Sequence, residues 1–250
     1  MKTIINLQTT DVDIVLAPES ETILIEKLDS EYSCPKRHFH LGTEARAQYV
    51  LIIDGEVTFE AYSRIWQQAE KSNLNTYYLF LNKQPGEWQL KHELAEQATI
   101  NSRSLYIGVN ESDLKVKADY DFSGRGSFGR VSVDILLSNH AQVKYEANLN
   151  VFSDAQKSDT RVDMRLRLNG KDVRGQIVPG LNIAANDVKA GHSASTFQLS
   201  PEDLFYLRCR GLSPEAIRKM LALSLSRGFI KGIDDSDMAN EILLLIGKSI

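Results

Sequence analysis

The stretch 161-RVDMRLRL-168 alternates without a break: Val162, Met164, Leu166 and Leu168 take one set of positions, Arg161, Asp163, Arg165 and Arg167 the other. Side chains of a strand point to opposite faces with a period of two, so the pattern predicts a β-strand with one buried and one solvated face. The same period runs upstream through Leu105, Ile107 and Val109, then Leu114, Val116, Ala118 and Tyr120, then Val131, Val133 and Ile135. It continues through Ala141, Val143, Tyr145, Ala147, Leu149 and Val151. Turn chemistry separates the runs at 138-SNH-140, 153-SDAQKSD-159 and 169-NGKD-172. Nearer the N-terminus, 76-TYYLFL-81 predicts another strand, and 50-VLIIDGEVTFEAY-62 two strands around an Asp-Gly turn. Many short strands without an intervening long amphipathic helix make an all-β body: a barrel, a sandwich or a solenoid. Strand spacing is irregular and no clean repeat is visible, so the pattern leaves that choice open.

The style of the chain changes at Ser200. In 200-SPED-203 a serine N-cap, a proline at N1 and an acid at N3 predict a helix start, with Leu204, Phe205 and Leu207 as its apolar face and Gly211 as its stop. The start signal recurs in 213-SPEA-216, followed by a stripe of Ile217, Met220, Leu221, Ser224 and Leu225. A third helix is predicted from about Ser236, with Met238, Ile242, Leu243 and Ile246 inward. The division expected is a β-domain over residues 1–198 and a helical domain over 199–250, and such helices would cover the open end of a solenoid.

Composition narrows the function classes. The chain has 250 residues, 42% of them hydrophobic and 25% charged, with a net charge of −4. That balance suits a globular protein with a sizeable core and supplies no general basic field for nucleic acid or an anionic membrane. No run approaches the length of a membrane span, and the first residues lack a signal-peptide core. Two cysteines, Cys34 and Cys209, form neither a disulfide framework nor a metal knuckle. A cytoplasmic location is the expectation. Pro35, Lys36 and Arg37 predict a solvated turn beside Cys34.

Two motifs compete for a function. The glycines of 124-GRGSFGRV-131 match a nucleotide-binding spelling, but the segment runs into an alternating strand rather than a helix, which makes it a glycine-rich turn. In 38-HFHLGTE-44, His38, His40 and Glu44 have the spacing with which cupin barrels begin a metal site, and they support an alternative reading as a cupin-like metal-dependent binding protein or enzyme. The arginines of 161–168 are diluted by Asp159 and Asp163 and have no interleaved aromatics for stacking bases.

The segments 182-NIAANDVKAGHSAST-196 and 204-LFYLRCRGLSPEAIRKML-221 resemble the SufB/SufD family of iron–sulfur cluster assembly scaffolds, as do 128-FGRVSV-133 and 153-SDAQKSDTRVDMRLRL-168 upstream. The likeness extends from about Ser123 to Phe229 and weakens before residue 90, where the helical N-terminal domain of full-length members is not found. The resemblance implies a right-handed parallel β-helix followed by a small C-terminal α-helical domain. It also implies a non-catalytic scaffold that pairs through its β-helix with a SufB-like paralogue or a second copy of itself. The terminal helices would dock a SufC-like ABC-type ATPase, since this chain has no phosphate-binding loop of its own. His192 falls on the SufD-type histidine, as an iron or cluster ligand at the dimer interface. The family cysteine two residues before it is Ala190 here, and Ser193 stands where SufB members carry glutamate. Cys209 replaces a serine and is no family ligand. One imidazole cannot hold a cluster alone, so any cluster would be transient and shared with a partner.

Overall fold

A computed structural model describes residues 3–7, 12–29, 35–55, 61–170 and 172–250. The chain coils as a β-helix in which each turn places one strand in each of two sheets. The first sheet holds β1 (Thr3–Asn6), β3 (Glu21–Leu28), β5 (Arg46–Gly55), β7 (Asn73–Asn82), β9 (Thr99–Gly108), β11 (Phe128–Ser138), β13 (Asp159–Asn169) and β15 (Lys189–Gln198). The second holds β2 (Asp13–Leu16), β4 (Lys36–Leu41), β6 (Tyr62–Gln68), β8 (Gly86–Leu94), β10 (Asp113–Phe122), β12 (Gln142–Val151) and β14 (Arg174–Ile183). Within a sheet every pairing is parallel, and neighbouring strands are two apart in sequence. A solenoid resolves the choice that periodicity left open. The expected hairpin at Asp54–Gly55 is not formed: β5 and β6 belong to different sheets, and Gly55 ends β5 at a φ of +88°. The Asp-Gly pair marks a turn of the coil, and residues 56–60 lie outside the described structure.

One corner recurs in coil after coil. Glu19, Glu44, Lys71, Gln97, Gly126 and Lys157 all have positive φ, at spacings of 25, 27, 26, 29 and 31 residues. The amide of each donates to the carbonyl just before the corresponding residue of the next coil: Glu19 to Thr43, Glu44 to Glu70, Lys71 to Glu96, Gln97 to Arg125, Gly126 to Gln156. A buried or half-buried backbone donor needs a partner, and this ladder supplies one at every turn. The glycine-rich 124–131 segment is such a corner. A Cβ at Gly124 would lie 2.0 Å from the Glu96 amide nitrogen, so glycine is required there by the close approach of the coil below.

Alternating side chains of both sheets meet in the interior, where Val162, Met164 and Leu166 join Tyr145, Leu149, Tyr120 and Phe122 in one apolar core. The arginines on the other side of β13 stay at the surface, where Arg165 and Arg167 pair with Asp134 at 2.7 and 3.1 Å and Arg161 with Asp163 at 2.9 Å.

Three helices follow: α1 (Pro201–Cys209), α2 (Pro214–Ile230) and α3 (Ser236–Ser249). Ser200 and Asp203 form the expected capping box, and Ser213 caps α2. The helices do not cover the end of the β-helix. Instead α2 and α3 run back along the outer face of the first sheet, burying Ala222, Leu225, Phe229, Met238, Ile242 and Ile246 against Ile25, Val50, Ile52, Leu79, Leu105, Ile107 and Leu136. That face is apolar because β3 to β11 carry hydrophobic residues on both sides, as in 50-VLII-53, so a second layer must cover them. Polar ties fix the position: Lys27 pairs with Glu241 at 2.6 Å, Gln48 bonds the carbonyl of Gly232 and the amide of Asp234, and Arg103 donates to the carbonyls of Gly228 and Lys231 at the end of α2. The apolar face expected for α1 is not buried. Phe205 is 71% exposed, and no residue of α1 is buried.

Ile242→Ala should therefore lower the unfolding free energy by about 2–5 kcal/mol, while Phe205→Ala should stay within about 0.5 kcal/mol of the parent. Urea denaturation of the two variants compares them directly.

Candidate functional site at the open end

β14 and β15 each have a neighbour on one side only, so the last coil leaves two strand edges unpaired among the described residues. Register fixes where their side chains point. In β15, Ala190, His192, Ala194 and Thr196 lie opposite Thr160, Val162, Met164 and Leu166, all of which are buried. In β14, Ile177, Pro179, Leu181 and Ile183 lie opposite Tyr145, Ala147, Leu149 and Val151, buried likewise. These residues thus occupy core-facing positions in a coil that has no further coil above it among the described residues. The end of the β-helix presents an apolar floor with one metal-ligating side chain, His192, which is exposed and makes no hydrogen bond or ion pair within the described residues.

Neighbours of His192 have distinct environments. Ala190 lies two residues away on the same face, about 7 Å along the strand, where a thiol could have shared an ion with the imidazole. The methyl group supplies no donor. Ser193 points to the outer face and donates to Asp163 Oδ1 at 2.5 Å. Partial burial opposes the Asp163 charge, but the bonds from Arg161 and Ser193 outweigh it and hold the carboxyl below the usual range. Cys209 is free and exposed on α1, and Cys34 lies outside the described residues.

The cupin-like set is not assembled. His38 and His40 project from the outer face of β4, with His38 Nδ1 3.4 Å from Asp13 Oδ1. Glu44 occupies a left-handed corner and pairs with Lys71 at 3.4 Å. Among the described residues no three of His, Cys, Asp and Glu converge as a metal would require, and the parallel coil is not a cupin barrel.

The interior holds a polar centre that the sequence did not announce. Lys36 and Arg37 belong to β4 rather than to a solvated turn, and the Arg37 side chain is wholly buried. Arg37 Nε lies 3.3 Å from Glu26 Oε1, and Arg64 reaches both Glu26 oxygens at 2.8 and 3.0 Å. Tyr49 donates its hydroxyl to Glu26 as well, and Arg64 Nε bonds the Tyr49 oxygen at 3.1 Å. One coil further along, His92 is buried and bonds Tyr78 at 3.2 Å through Nε2, with its ring stacked on Tyr120 at 4.8 Å. Burial pushes the His92 imidazole down to about 3, so it is neutral at ordinary pH.

A family model described as the SufBD core domain of SUF system FeS cluster assembly matches residues 2–225. The chain belongs to the SufBD family. Relatives include the iron-sulfur cluster assembly protein SufD of Escherichia coli strain K12, 26% identical over 155 residues, which are 62% of this chain and 37% of that protein. Protein ABCI7, chloroplastic, of Arabidopsis thaliana is 27% identical over 140 residues, 55% of this chain and 29% of that one. SufD of Bacillus subtilis strain 168 is 19% identical over 150 residues, 60% of this chain and 34% of its own. The matches span between 29% and 37% of the length of those relatives. In this SufBD protein the family likeness runs through the β-helix from its first coil, including the region before residue 90 where the sequence motifs were weak. No helix among the described residues is long and apolar enough to cross a membrane.

Two stability measurements probe the interior. Glu26→Gln leaves two buried guanidinium groups without their carboxylate and should cost about 3–5 kcal/mol in chemical denaturation. His92 gives a pH signature. The unfolded histidine takes up a proton near 6.5 and the folded one only near 3, so the unfolded state binds more protons in between and stability falls as pH drops through that window. The slope from this group approaches roughly 1.4 kcal/mol per pH unit, and His92→Phe should flatten the profile between about pH 6 and 5, above the main carboxylate range.

Proposed function

We propose that this SufBD protein is a SufD-like, non-catalytic scaffold subunit of a cytoplasmic iron–sulfur cluster assembly complex. The observation that carries the reading is the open last coil, with its apolar floor, two free strand edges and His192 exposed among core-facing positions. A second β-helix, either another copy or a SufB-like paralogue, would cover that floor and satisfy the edge groups by strand addition. Iron or a nascent cluster at the junction is cargo rather than a resident cofactor. His192 would offer it one imidazole nitrogen, and with Ala190 in place of a thiol the remaining donors must come from the partner.

Energy for the process would come from a SufC-like ABC-type ATPase, because the sequence contains no G-x-x-x-x-G-K-[ST] loop. The surface that best suits its docking is α1, where Phe205 and Tyr206 are exposed beside a groove lined by Leu168, Leu199, Pro201, Leu204 and Arg208. Large aromatic side chains of this kind are the usual anchors of an interface.

Ala194 is exposed in the single chain and would be buried in the pair, so Ala194→Lys separates pairing from folding. The variant should keep its thermal stability and lose its partner in analytical ultracentrifugation, and it should not support cluster assembly in cells lacking the native chain. His192→Ala should pair normally, retain the ATPase and still fail in those cells. Phe205→Asp should weaken ATPase co-purification alone. Full complementation by His192→Ala would remove the ligand role, and unchanged pairing of Ala194→Lys would place the interface elsewhere.

A further inference from the structure

The buried aromatic groups of the interior are arranged for chemistry that scaffolding does not use. Tyr49 and Tyr78 are fully buried, with ring centroids 5.9 Å apart. Each phenol already has a titratable partner: Tyr49 donates to the Glu26 carboxylate, and the Tyr78 oxygen lies 3.2 Å from His92 Nε2. Trp66 stands 5.4 Å from Tyr49 on one side, and Tyr120 stacks on His92 on the other. The four aromatic rings and the imidazole form a continuous path inside the coil, shielded from solvent.

We propose that Tyr49 and Tyr78 form a protected site for reversible one-electron oxidation, each phenol losing its proton along the hydrogen bond already in place. The oxidant is of the class formed when ferrous iron meets peroxide, and it accepts one electron. The electron leaves the Tyr78 ring and the O–H proton moves to His92 Nε2, which gives a neutral phenoxyl radical and an imidazolium. At Tyr49 the proton moves to Glu26, which gives a phenoxyl radical and a neutral carboxylic acid. An electron from a small thiol or an ascorbate-like reductant, with return of the proton, restores the phenol.

Three features suit the site to this. An oxidised phenol is a far stronger acid than an imidazolium or a carboxylic acid, so a preformed acceptor lets the proton leave with the electron, and the positive charge is carried by the acceptor rather than by the phenol ring. We assign His92 the tautomer protonated at Nδ1, since a neutral ring with its lone pair on Nε2 is then ready to accept from Tyr78. The Nδ1 proton then has no hydrogen-bond partner among the described residues, a cost set against the bond from Tyr78 at the other nitrogen. Exclusion of water and of other radicals by the coil wall would give the phenoxyl a long life. The proposal is independent of pairing, of the ATPase and of His192.

The test uses the full chain, oxidised by photogenerated tris(bipyridine)ruthenium(III), freeze-quenched and read by electron paramagnetic resonance with and without ring-deuterated tyrosine. The wild type should give a tyrosyl radical, and the Tyr49→Phe/Tyr78→Phe double variant should shorten its lifetime by at least about tenfold. Tyr78→Phe alone removes one hydroxyl, keeps the ring in place, and should give a shortening of its own; it serves if the double variant does not fold. His92→Gln should reduce the solvent deuterium effect on the decay, a change that a purely structural histidine would not produce. The proposal is overturned if no tyrosyl radical forms in the wild type. It is equally overturned if Tyr78→Phe and whichever further variants fold match the wild type in yield and lifetime, since the radical then resides on an exposed ring such as Tyr206.

Discussion

Everything in this molecule depends on the register between successive coils, and the register is held at the corner where one residue per coil turns left-handed. Because the amide at that corner donates to the carbonyl before the next corner, each coil is indexed to the one after it by a backbone bond that no side-chain substitution removes. The period-two alternation then has only one way to face the core. A slip of one residue would turn every core side chain outward, and the corner ladder is what forbids it. The direction of His192, the stacking of His92 on Tyr120 and the approach of Arg64 to Glu26 are all consequences of that indexing.

A buried carboxylate between two buried guanidinium groups is an expensive way to fill a core. Its location near the N-terminal end of the coil, with Tyr49 as a further hydrogen-bond donor, has a specifying effect: Glu26, Arg37, Tyr49 and Arg64 come from four different strands, β3, β4, β5 and β6. A pairing that brought only some of them together would leave a bare charge in an apolar interior. Hydrophobic residues could tolerate such an error more easily. The charged centre therefore discriminates among coil registers toward the N-terminal end of the β-helix.

Much of this was legible in the sequence, and the exceptions have physical reasons. The strand at 161–168 was legible because its outer face is solvated, which keeps the alternation clean. The helix starts at Ser200 and Ser213 were legible because capping is local. The solenoid itself was not, since the corner spacing varies and the corner residue is Glu, Lys, Gln or Gly by turns; the recurring quantity is a backbone angle rather than a side chain. The helix position was missed although a signal existed: 50-VLII-53 and 77-YYLFL-81 are apolar at consecutive positions, unlike 161–168, and such strands need cover on both faces. Arg37 was placed in solvent because its partner, Glu26, comes from the preceding strand in the opposite sheet, and no local pattern reveals that. Of the candidate site, His192 was found through family likeness, while its direction became known only from its pairing with Val162. The set of His38, His40 and Glu44 failed because the first two lie on a sheet face and the third in a corner.

The helical hairpin has a mechanical meaning. A solenoid is nearly one-dimensional, each coil touching only its neighbours, and such a stack can fray from an end coil by coil. By lying along the first sheet from β3 to β11, α2 and α3 tie together coils that otherwise never meet, as a splint binds the segments of a rod. Coils within the splint can come apart only together, whereas β13 and β15 lie beyond it. The C-terminal coils thus form a compliant tip on a stiff shaft, and that tip is where a partner's surface would have to be matched.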